Sequence, residues 1–390
     1  MKIGLMVFWL RDMIIELKEE ILDFTGLSKV DIDNYIESLA NIVKSIQSGK
    51  HMLFANHRTF SRIQATIEIP ENIRSKFRTT HSKIQDSNTA IKKTNTFIRL
   101  SRLDGKIHTL TLHDKIAIDV PLIFFYNTTI CERTVLLCEN LVDAKVLLSM
   151  TKIWLKRIGL SKAKFSLEKR GAGGSQIGAE YDEIQNDAPR LCIAVVDSDQ
   201  DSPNHNKTDS TAITLLNHDD PQNPLTKAYV LLCRELENLL NEHILTSIFS
   251  AQPEAQKKAK RMFEIRSLAS DFVLKHADLK NGCKLKDILK YSADCQKIWL
   301  PEVEKIITTQ FPIDNQCLAK KTCKDENKCE CNIIGGFGKR TLQKSQDDFF
   351  SKPISEEYGE FLPEYVIKDW ENVCIEIFSW GCSSEPFSVY

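Results

Sequence analysis

The sequence lacks several features that would each assign it to a class of proteins. It contains no run of roughly 18 apolar residues, the length that a membrane-spanning helix requires. The apolar start is interrupted at Arg11 and Asp12 without a small-residue cleavage site after it, so we interpret it as an amphipathic first helix rather than a signal peptide. No Walker A pattern and no internal repeat occur. We therefore expect a soluble, cytoplasmic protein that is not membrane-bound and does not itself hydrolyse ATP.

Composition indicates an ordinary globular chain. The 390 residues, of which 42% are hydrophobic and 27% charged, are enough for two to three domains. The net charge of −1 by itself indicates no particular partner. Twelve cysteines without a secretory signal predict reduced thiols rather than disulfides. Four of these cysteines lie in apolar segments and are expected in the core: Cys131, Cys138, Cys192 and Cys233.

Residues 1–128 have the pattern of a mixed α+β region. Apolar residues recur at near-helical spacing at Ile14, Ile15, Leu17, Ile21 and Leu22. Ser28 or Asp31 is expected to cap a second helix that continues to Ile46. Alternation of apolar and polar residues predicts short strands or a hairpin near 65–69 and 107–120.

Residues 129–248 alternate between strand and helix patterns. The strand candidates are RTVLLCE, KAKFSLEK, RLCIAVVDSD and the start of KAYVLLCRELENLL, with helical segments or a long acidic loop between them. This order predicts a parallel sheet flanked by helices, and an apolar run such as CIAVV suits a strand covered on both faces. Residues 249–390 are predicted to form a mainly helical C-terminal region.

Acidic residues follow three of the predicted strands. They are Glu139 and Asp143 after the first, Asp197, Asp199 and Asp201 after the third, and Glu235 and Glu237 after the fourth. Ligands of open α/β sheets bind beyond the carboxyl ends of the strands, so these side chains are expected to converge. Clustered carboxylates repel each other unless a cation lies among them. Mg²⁺ or Mn²⁺, which prefers oxygen ligands and promotes phosphodiester hydrolysis, is the cation that we expect.

The same segments resemble the motifs of TOPRIM nucleases. TVLLCENLVDAKVL is similar to the first TOPRIM motif, and CIAVVDSD is similar to its Asp-x-Asp motif. RELENLL is similar to the third acidic element of the branch found in overcoming-lysogenization-defect nucleases and related phage-defence proteins. The resemblance covers residues 133–245, and Asn140 stands where many members carry glycine.

This resemblance implies a TOPRIM-like sheet and metal-dependent cleavage of DNA or RNA. It implies that Glu139 is a metal ligand or general base and that Asp197 and Asp199 are metal ligands. Of the third pair it favours Glu237, because Glu-Asn before Leu-Leu is the closer match. Residues two apart on an α-helix do not share a face, so only one of the pair is expected to point inward. Gly338-Lys339 resembles a late element in which a lysine neutralises the scissile phosphate, the alternative being an ordinary solvated lysine.

The resemblance also implies a biological setting. Related proteins are anti-phage defence effectors that act with an ATPase, so we expect a separate ATPase partner and an oligomer or a complex subunit. An alternative from another class is a catalytically inactive scaffold or nucleic-acid-binding subunit. The sequence does not distinguish DNA from RNA substrates.

Three further patterns each have two interpretations. Gly171–Gly174 can cradle a phosphate or form a tight turn with positive φ. Residues 50–106 carry twelve Lys/Arg against four Asp/Glu with interleaved phenylalanines, which indicates either a nucleic-acid surface or solvated cations around core phenylalanines. Four cysteines close in sequence suit a structural Zn²⁺ site or remain free thiols, Cys283 and Cys295 being other candidate ligands: Cys317, Cys323, Cys329 and Cys331.

Overall fold

A computed structural model of the chain describes residues 14–87, 93–102, 105–187, 189–203, 205, 210–307, 331–352 and 362–386. Most of the strands belong to two sheets. The strands are β1 (Ile14–Glu16), β2 (Met52–Phe54), β3 (Thr96–Ser101), β4 (His108–Leu112), β5 (Lys115–Pro121), β6 (Val135–Cys138), β7 (Lys164–Phe165), β8 (Glu168–Gly171), β9 (Cys192–Val196), β10 (Thr226–Val230), β11 (Gly282–Lys284), β12 (Asn332–Gly335) and β13 (Cys382–Ser383). The helices are α1 (Lys29–Gln47), α2 (His57–Ala65), α3 (Glu71–Ser87), α4 (Leu141–Arg157), α5 (Ile177–Asn186), α6 (Thr211–His218), α7 (Glu242–Ile248), α8 (Pro253–Leu268), α9 (Phe272–His276), α10 (Leu285–Ile288), α11 (Ala293–Ile307), α12 (Thr341–Ser345) and α13 (Glu364–Gly381).

The first sheet has the strand order β2-β1-β3-β5-β4 and is parallel except for the β4–β5 hairpin. The hairpin confirms the prediction for residues 107–120. The predicted helix at Ile14 and Ile15 is wrong, because both residues belong to the interior strand β1 and are at most 1% exposed. A strand that is covered on both faces buries consecutive residues, and its apolar sequence therefore resembles part of the pattern of a helix. The strand predicted at 65–69 is also wrong, since α2 ends at Ala65 and a turn follows.

Helix α1 begins where the sequence predicts. The Ser28 hydroxyl accepts a hydrogen bond from the Asp31 backbone N–H at 3.2 Å, and the Asp31 carboxylate accepts one from the Ser28 N–H at 3.3 Å. This reciprocal capping box satisfies two backbone donors that the first helical turn leaves without partners. The cap is therefore Ser28, with Asp31 as its reciprocal partner.

The second sheet has the order β10-β9-β6-β8, and all its strands are parallel. Helices α5 and α6 pack on one face and α4 with α13 on the other, so every residue of β9 is at most 3% exposed. The protein thus has an α/β fold with a parallel sheet flanked by helices. The predicted second strand is divided into β7 and β8, and β7 pairs instead with β13. The acidic loop after β9 contains α6, which the sequence did not predict.

The C-terminal helices pack against the rest of the protein. Helix α13 contacts α4, β9 and β3, and its buried side chains form one hydrophobic cluster with the first sheet and with the face of the second sheet that α4 covers. Glu376 on α13 accepts hydrogen bonds from Asn95 at 3.0 Å and from Lys227 at 2.7 Å, one residue near each sheet. Within the part of the chain that is described, no helix is long and apolar enough to cross a membrane.

Candidate active site

Glu139 follows strand β6 at the carboxyl edge of the parallel sheet. The next residue, Asn140, has φ −145°, so its extended backbone does not require glycine. The Asn140 side chain accepts hydrogen bonds from the N–H groups of Val142 and Asp143, and the Asp143 carboxylate accepts one from the Asn140 N–H at 3.1 Å. This capping box fixes the start of α4 and the direction in which Glu139 leaves the strand.

The glycine turn at Gly171–Gly174 holds Glu139 from the other side. The N–H groups of Gly173 and Gly174 donate to the Glu139 backbone carbonyl at 2.9 and 3.3 Å, and both glycines have positive φ. These amide groups are thus used within the protein, which supports the interpretation as a tight turn rather than a phosphate cradle. A Cβ at Gly171 would lie 2.9 Å from the Leu141 backbone nitrogen, so only glycine permits this close approach.

Asp197 and Asp199 follow β9, the strand next to β6. The Asp197 carboxylate accepts a hydrogen bond from the Leu236 N–H at 2.8 Å, which connects it to the segment after β10. Asp199 has φ +56°, a left-handed conformation that aspartate tolerates better than most residues, and its N–H donates to the Arg234 carbonyl at 2.9 Å. The ends of β9 and β10 are therefore held together by backbone hydrogen bonds.

Glu235 and Glu237 lie after β10, and both are buried. The expectation that only one of them points inward is wrong, because the segment is not an α-helix. Glu235 is extended (φ −140°, ψ 158°), and the 3₁₀ turn Leu236–Leu239 begins after it. Both side chains consequently reach the same lysine, Lys280.

Two contacts hold this 3₁₀ turn in place. Asn238 donates to the carbonyls of Leu274 and Ala277, each at 2.8 Å, and accepts from the Glu235 N–H at 2.8 Å. From α13, the Trp370 indole N–H donates to the Leu239 carbonyl at 3.0 Å. The positions of both glutamates thus depend on the C-terminal helices.

Lys280 is a candidate site residue that the sequence analysis did not identify. Its Nζ lies 3.5 Å from Asp197 Oδ2, 3.9 Å from Glu235 Oε1 and 3.4 Å from Glu237 Oε2. The Phe337 and Gly338 N–H groups donate to the carbonyls of Leu279 and Lys280, which supports the lysine segment from behind. Lysines in short loops have no sequence pattern that marks them, so no signal was available.

Neither protein-family models nor curated proteins nor solved structures give a match to this chain. The chemical properties of the site are therefore argued from its own residues.

The carboxyl groups at the strand ends resist ionisation. Burial, followed by the negative charges of Asp197, Asp199 and Asp143, raises the pKa of Glu139 to about 8. Burial likewise raises the pKa of Asp197, although Lys280 opposes this change. Near neutral pH, Glu139 therefore retains a proton unless additional positive charge enters the cluster.

Glu235 and Glu237, the two acids after β10, also resist ionisation. Burial raises the pKa of Glu235 to about 7 and that of Glu237 to about 8, despite the neighbouring ammonium group. For Lys280 itself, burial lowers the pKa, but the surrounding carboxylates outweigh burial and raise it. Lys280 is thus charged, yet one ammonium group does not match the three carboxyl groups that lie within 3.9 Å of it.

The other predicted site residues have different surroundings. Asp143 uses an oxygen in the capping box, and burial raises its pKa to about 6. The Asp201 carboxylate pairs with Arg234 at 2.5 Å, away from Lys280, and stabilises the loop after β9. Lys339 is exposed. It follows Gly338, whose N–H donates a hydrogen bond to the Lys280 carbonyl, so the backbone of Lys339 lies near the cluster, although no ion pair among the described residues joins the Lys339 side chain to it.

The chemical type of the candidate ligands suits a divalent cation, but their present arrangement does not. All candidate ligands are carboxylates, which Mg²⁺ and Mn²⁺ prefer. Both Glu237 carboxylate oxygens and Glu235 Oε2 are buried without a hydrogen-bond partner, apart from the ion pairs with Lys280. However, among the residues that the structure describes, no three His, Cys, Asp or Glu side chains are grouped so as to hold a metal ion. Metal binding at this cluster therefore requires its side chains to move.

The arginines of the basic stretch over 50–106 form ion pairs in the folded protein. Acidic residues, several of them distant in sequence, pair with its arginines: Glu19 with Arg58 and Arg62, Glu71 with Arg74 and Arg78, Asp119 with Arg99, and Asp23 with Arg102. Phe60, Phe77 and Phe97 are at most 4% exposed, and Phe54 packs against the core. The structure therefore favours the interpretation of core phenylalanines over that of a base-stacking surface.

The cysteines expected in the core are buried, as are Cys283 and Cys295. Of the predicted zinc ligands, Cys317, Cys323 and Cys329 lie outside the described residues. Cys331 is buried, and its backbone carbonyl accepts a hydrogen bond from Leu285 at 3.0 Å. The structural Zn²⁺ site remains a prediction.

Proposed function

We propose that the chain is a TOPRIM-like, metal-dependent endonuclease that hydrolyses phosphodiester bonds of DNA or RNA. One observation carries the proposal: Glu139, Asp197 and the Glu235–Glu237 segment follow three neighbouring parallel strands, and carboxyl oxygens of Asp197, Glu235 and Glu237 lie 3.4 to 3.9 Å from one charged lysine. Structural acids are normally matched by cationic partners, whereas the buried carboxyl groups of this cluster outnumber theirs. Such a surplus of acidic groups is typical of sites that bind cations.

Each part of the cluster has a role in this proposal. Asp197, Asp199 and Glu237 would hold Mg²⁺ or Mn²⁺, and the bound ion would supply the activation of water and the stabilisation of the leaving oxygen. Glu139 has a pKa near the operating pH and is suited to accept the proton of the attacking water. Lys280, after it separates from the carboxylates, is positioned to neutralise the phosphate. Action in anti-phage defence, in a complex with an ATPase, belongs to the same proposal.

A cleavage assay tests the proposal. Purified protein is incubated with plasmid DNA and with total tRNA in Mg²⁺, Mn²⁺ or EDTA, beside Glu139→Gln and the control Asp294→Asn, whose side chain is 86% exposed. We expect metal-dependent cleavage that Glu139→Gln reduces about 100-fold or more, while Asp294→Asn has no effect. Cleavage that persists in EDTA or in Glu139→Gln would refute the assignment.

The position of Lys280 favours a second candidate function. Because its ammonium group partly neutralises the cluster without a metal, the site can also persist in a catalytically inactive scaffold or nucleic-acid-binding subunit. No cleavage with any metal, together with nucleic-acid binding that Glu139→Gln leaves unchanged, would support this alternative.

A further inference from the structure

A cavity of about 370 Å³ lies beside the acidic cluster. Ser198, which is located between Asp197 and Asp199, forms part of its wall, and its hydroxyl is held by a 2.8 Å hydrogen bond to the Cys233 carbonyl. Residues at the end of β10 and along α6 complete the lining among the described residues. The cavity therefore shares a wall with the candidate catalytic site, and its volume is in the range of small-molecule pockets.

The lining combines aliphatic side chains with polar ones, among them Ser198, Gln200 and Ser210. Two of its leucines are largely exposed: Leu216 on α6 is 47% exposed, and Leu232, just after β10, is 54% exposed. Large apolar side chains that line a cavity and remain exposed are a feature of ligand-binding sites, so they indicate a ligand with an apolar part.

His276 adds a polar group to this lining. Its Nδ1 lies 3.2 Å from the Gln200 backbone carbonyl, which only accepts hydrogen bonds, so Nδ1 carries the proton. Burial lowers the pKa of His276, which keeps the ring neutral near pH 7. Nε2 is then an acceptor nitrogen in a wall that also carries the polar residues Ser198, Gln200 and Ser210.

We propose that this cavity binds an unstacked nucleobase of the strand whose phosphate lies at the acidic cluster. The inference rests on the proposed nuclease function and assigns its substrate: single-stranded or locally unpaired nucleic acid. A base is flat and apolar on its faces and polar at its edge, which matches a cavity that combines aliphatic walls with a ring acceptor and a few polar side chains.

The test uses a single-stranded oligonucleotide that contains 2-aminopurine, whose fluorescence rises when the base leaves the stack. Every protein carries Glu139→Gln, so that the strand stays intact in Mg²⁺. Ala212→Leu fills the cavity from α6, and its control is Ala293→Leu at an exposed position. In case the filled variant misfolds, the double variant Leu216→Ala/Leu232→Ala trims the rim instead. Its control is Ile67→Ala, at a side chain that is 88% exposed.

We expect the fluorescence increase with the starting protein and both controls, its loss in Ala212→Leu, and binding about fivefold weaker in the rim variant. The base-binding proposal is wrong if the fluorescence increase is absent, or if it is equal in the cavity variants and their controls. The nuclease function stands in that case, provided that the unaltered chain cleaves nucleic acid in a metal-dependent manner. If the chain neither binds nor cleaves nucleic acid, both proposals fail.

Discussion

Replacement of Lys280 by methionine should destabilise the folded protein because it removes the positive charge from a buried acidic cluster. Three carboxylate oxygens lie 3.4 to 3.9 Å from Nζ, and the lysine side chain is only 28% exposed. Removal of one partner from a buried ion pair generally costs about 3–5 kcal/mol. The carboxyl groups can lessen this loss by binding protons, so we expect the lower end, about 3 kcal/mol, at alkaline pH.

The sign of the pH dependence follows from the same groups. Lys280 lowers the pKa values of Glu139, Asp197, Glu235 and Glu237, so its removal raises them further above those of the unfolded chain. The folded variant then binds more protons than the unfolded chain. Its stability is retained at about pH 6 and is lost as the pH rises towards 9 and the carboxyl groups are forced to ionise.

The assay is urea unfolding of the wild type, Lys280→Met and the control Lys297→Met at several pH values. Lys297 is 76% exposed and pairs with Asp294 on one helix, so its replacement should change the free energy of unfolding by less than about 0.5 kcal/mol. A loss in Lys280→Met that is as small as in the control, or that does not grow with pH, would refute the reasoning. If the cluster binds divalent cations, Mn²⁺ should restore part of the lost stability.

Three other predictions concern single residues. His51 is buried and its pKa is lowered to about 4, mainly by burial, so its contribution to stability is complete above pH 6.5 and is lost towards pH 4. In His51→Gln, the free energy of unfolding, measured with urea, should therefore change by about 3 kcal/mol less between pH 6.5 and pH 4 than in the wild type. The same pH dependence in both proteins would contradict this prediction. At the left-handed Asp199, Ala should cost about 1 kcal/mol more than Asn or Gly, and equal melting curves for the three variants would argue against strain there. Gly171→Ala should destabilise by about 1–3 kcal/mol, as its Cβ meets the Leu141 backbone; an unaltered urea midpoint would show that the turn adapts.

The parallel sheet could be predicted because its local patterns agree with its tertiary structure. CIAVV is a continuous apolar run because both faces of β9 are covered, and the helix after Glu139 begins at a residue type that caps helices. The positions of Glu139 and Asp197 follow from this, since parallel strands end at one edge.

The remainder of the site depends on contacts that leave no local pattern. Lys280 lies in a loop that is held at the sheet by long-range hydrogen bonds, from Asn238 to the end of α9 and from Phe337 and Gly338 to the lysine segment. The segment with Glu235 and Glu237 forms a 3₁₀ turn instead of the expected α-helix, so both side chains lie on the same side. The spacing of the two residues in the sequence does not reveal this difference. The ion pairs of the basic stretch depend on acids brought close by folding, Glu19 among them.

Direct titration with Mn²⁺ tests the central claim, that the acidic cluster binds a divalent cation. The paramagnetic resonance signal of free Mn²⁺ is measured with wild-type protein, Asp197→Asn, Glu237→Gln and the control Asp294→Asn, whose side chain is exposed. We predict that the wild type and the control deplete the free signal, that both cluster variants fail to do so, and that depletion increases with pH as the carboxyl groups release protons. Equal depletion by all four proteins, or none by the wild type at any pH, would contradict the account.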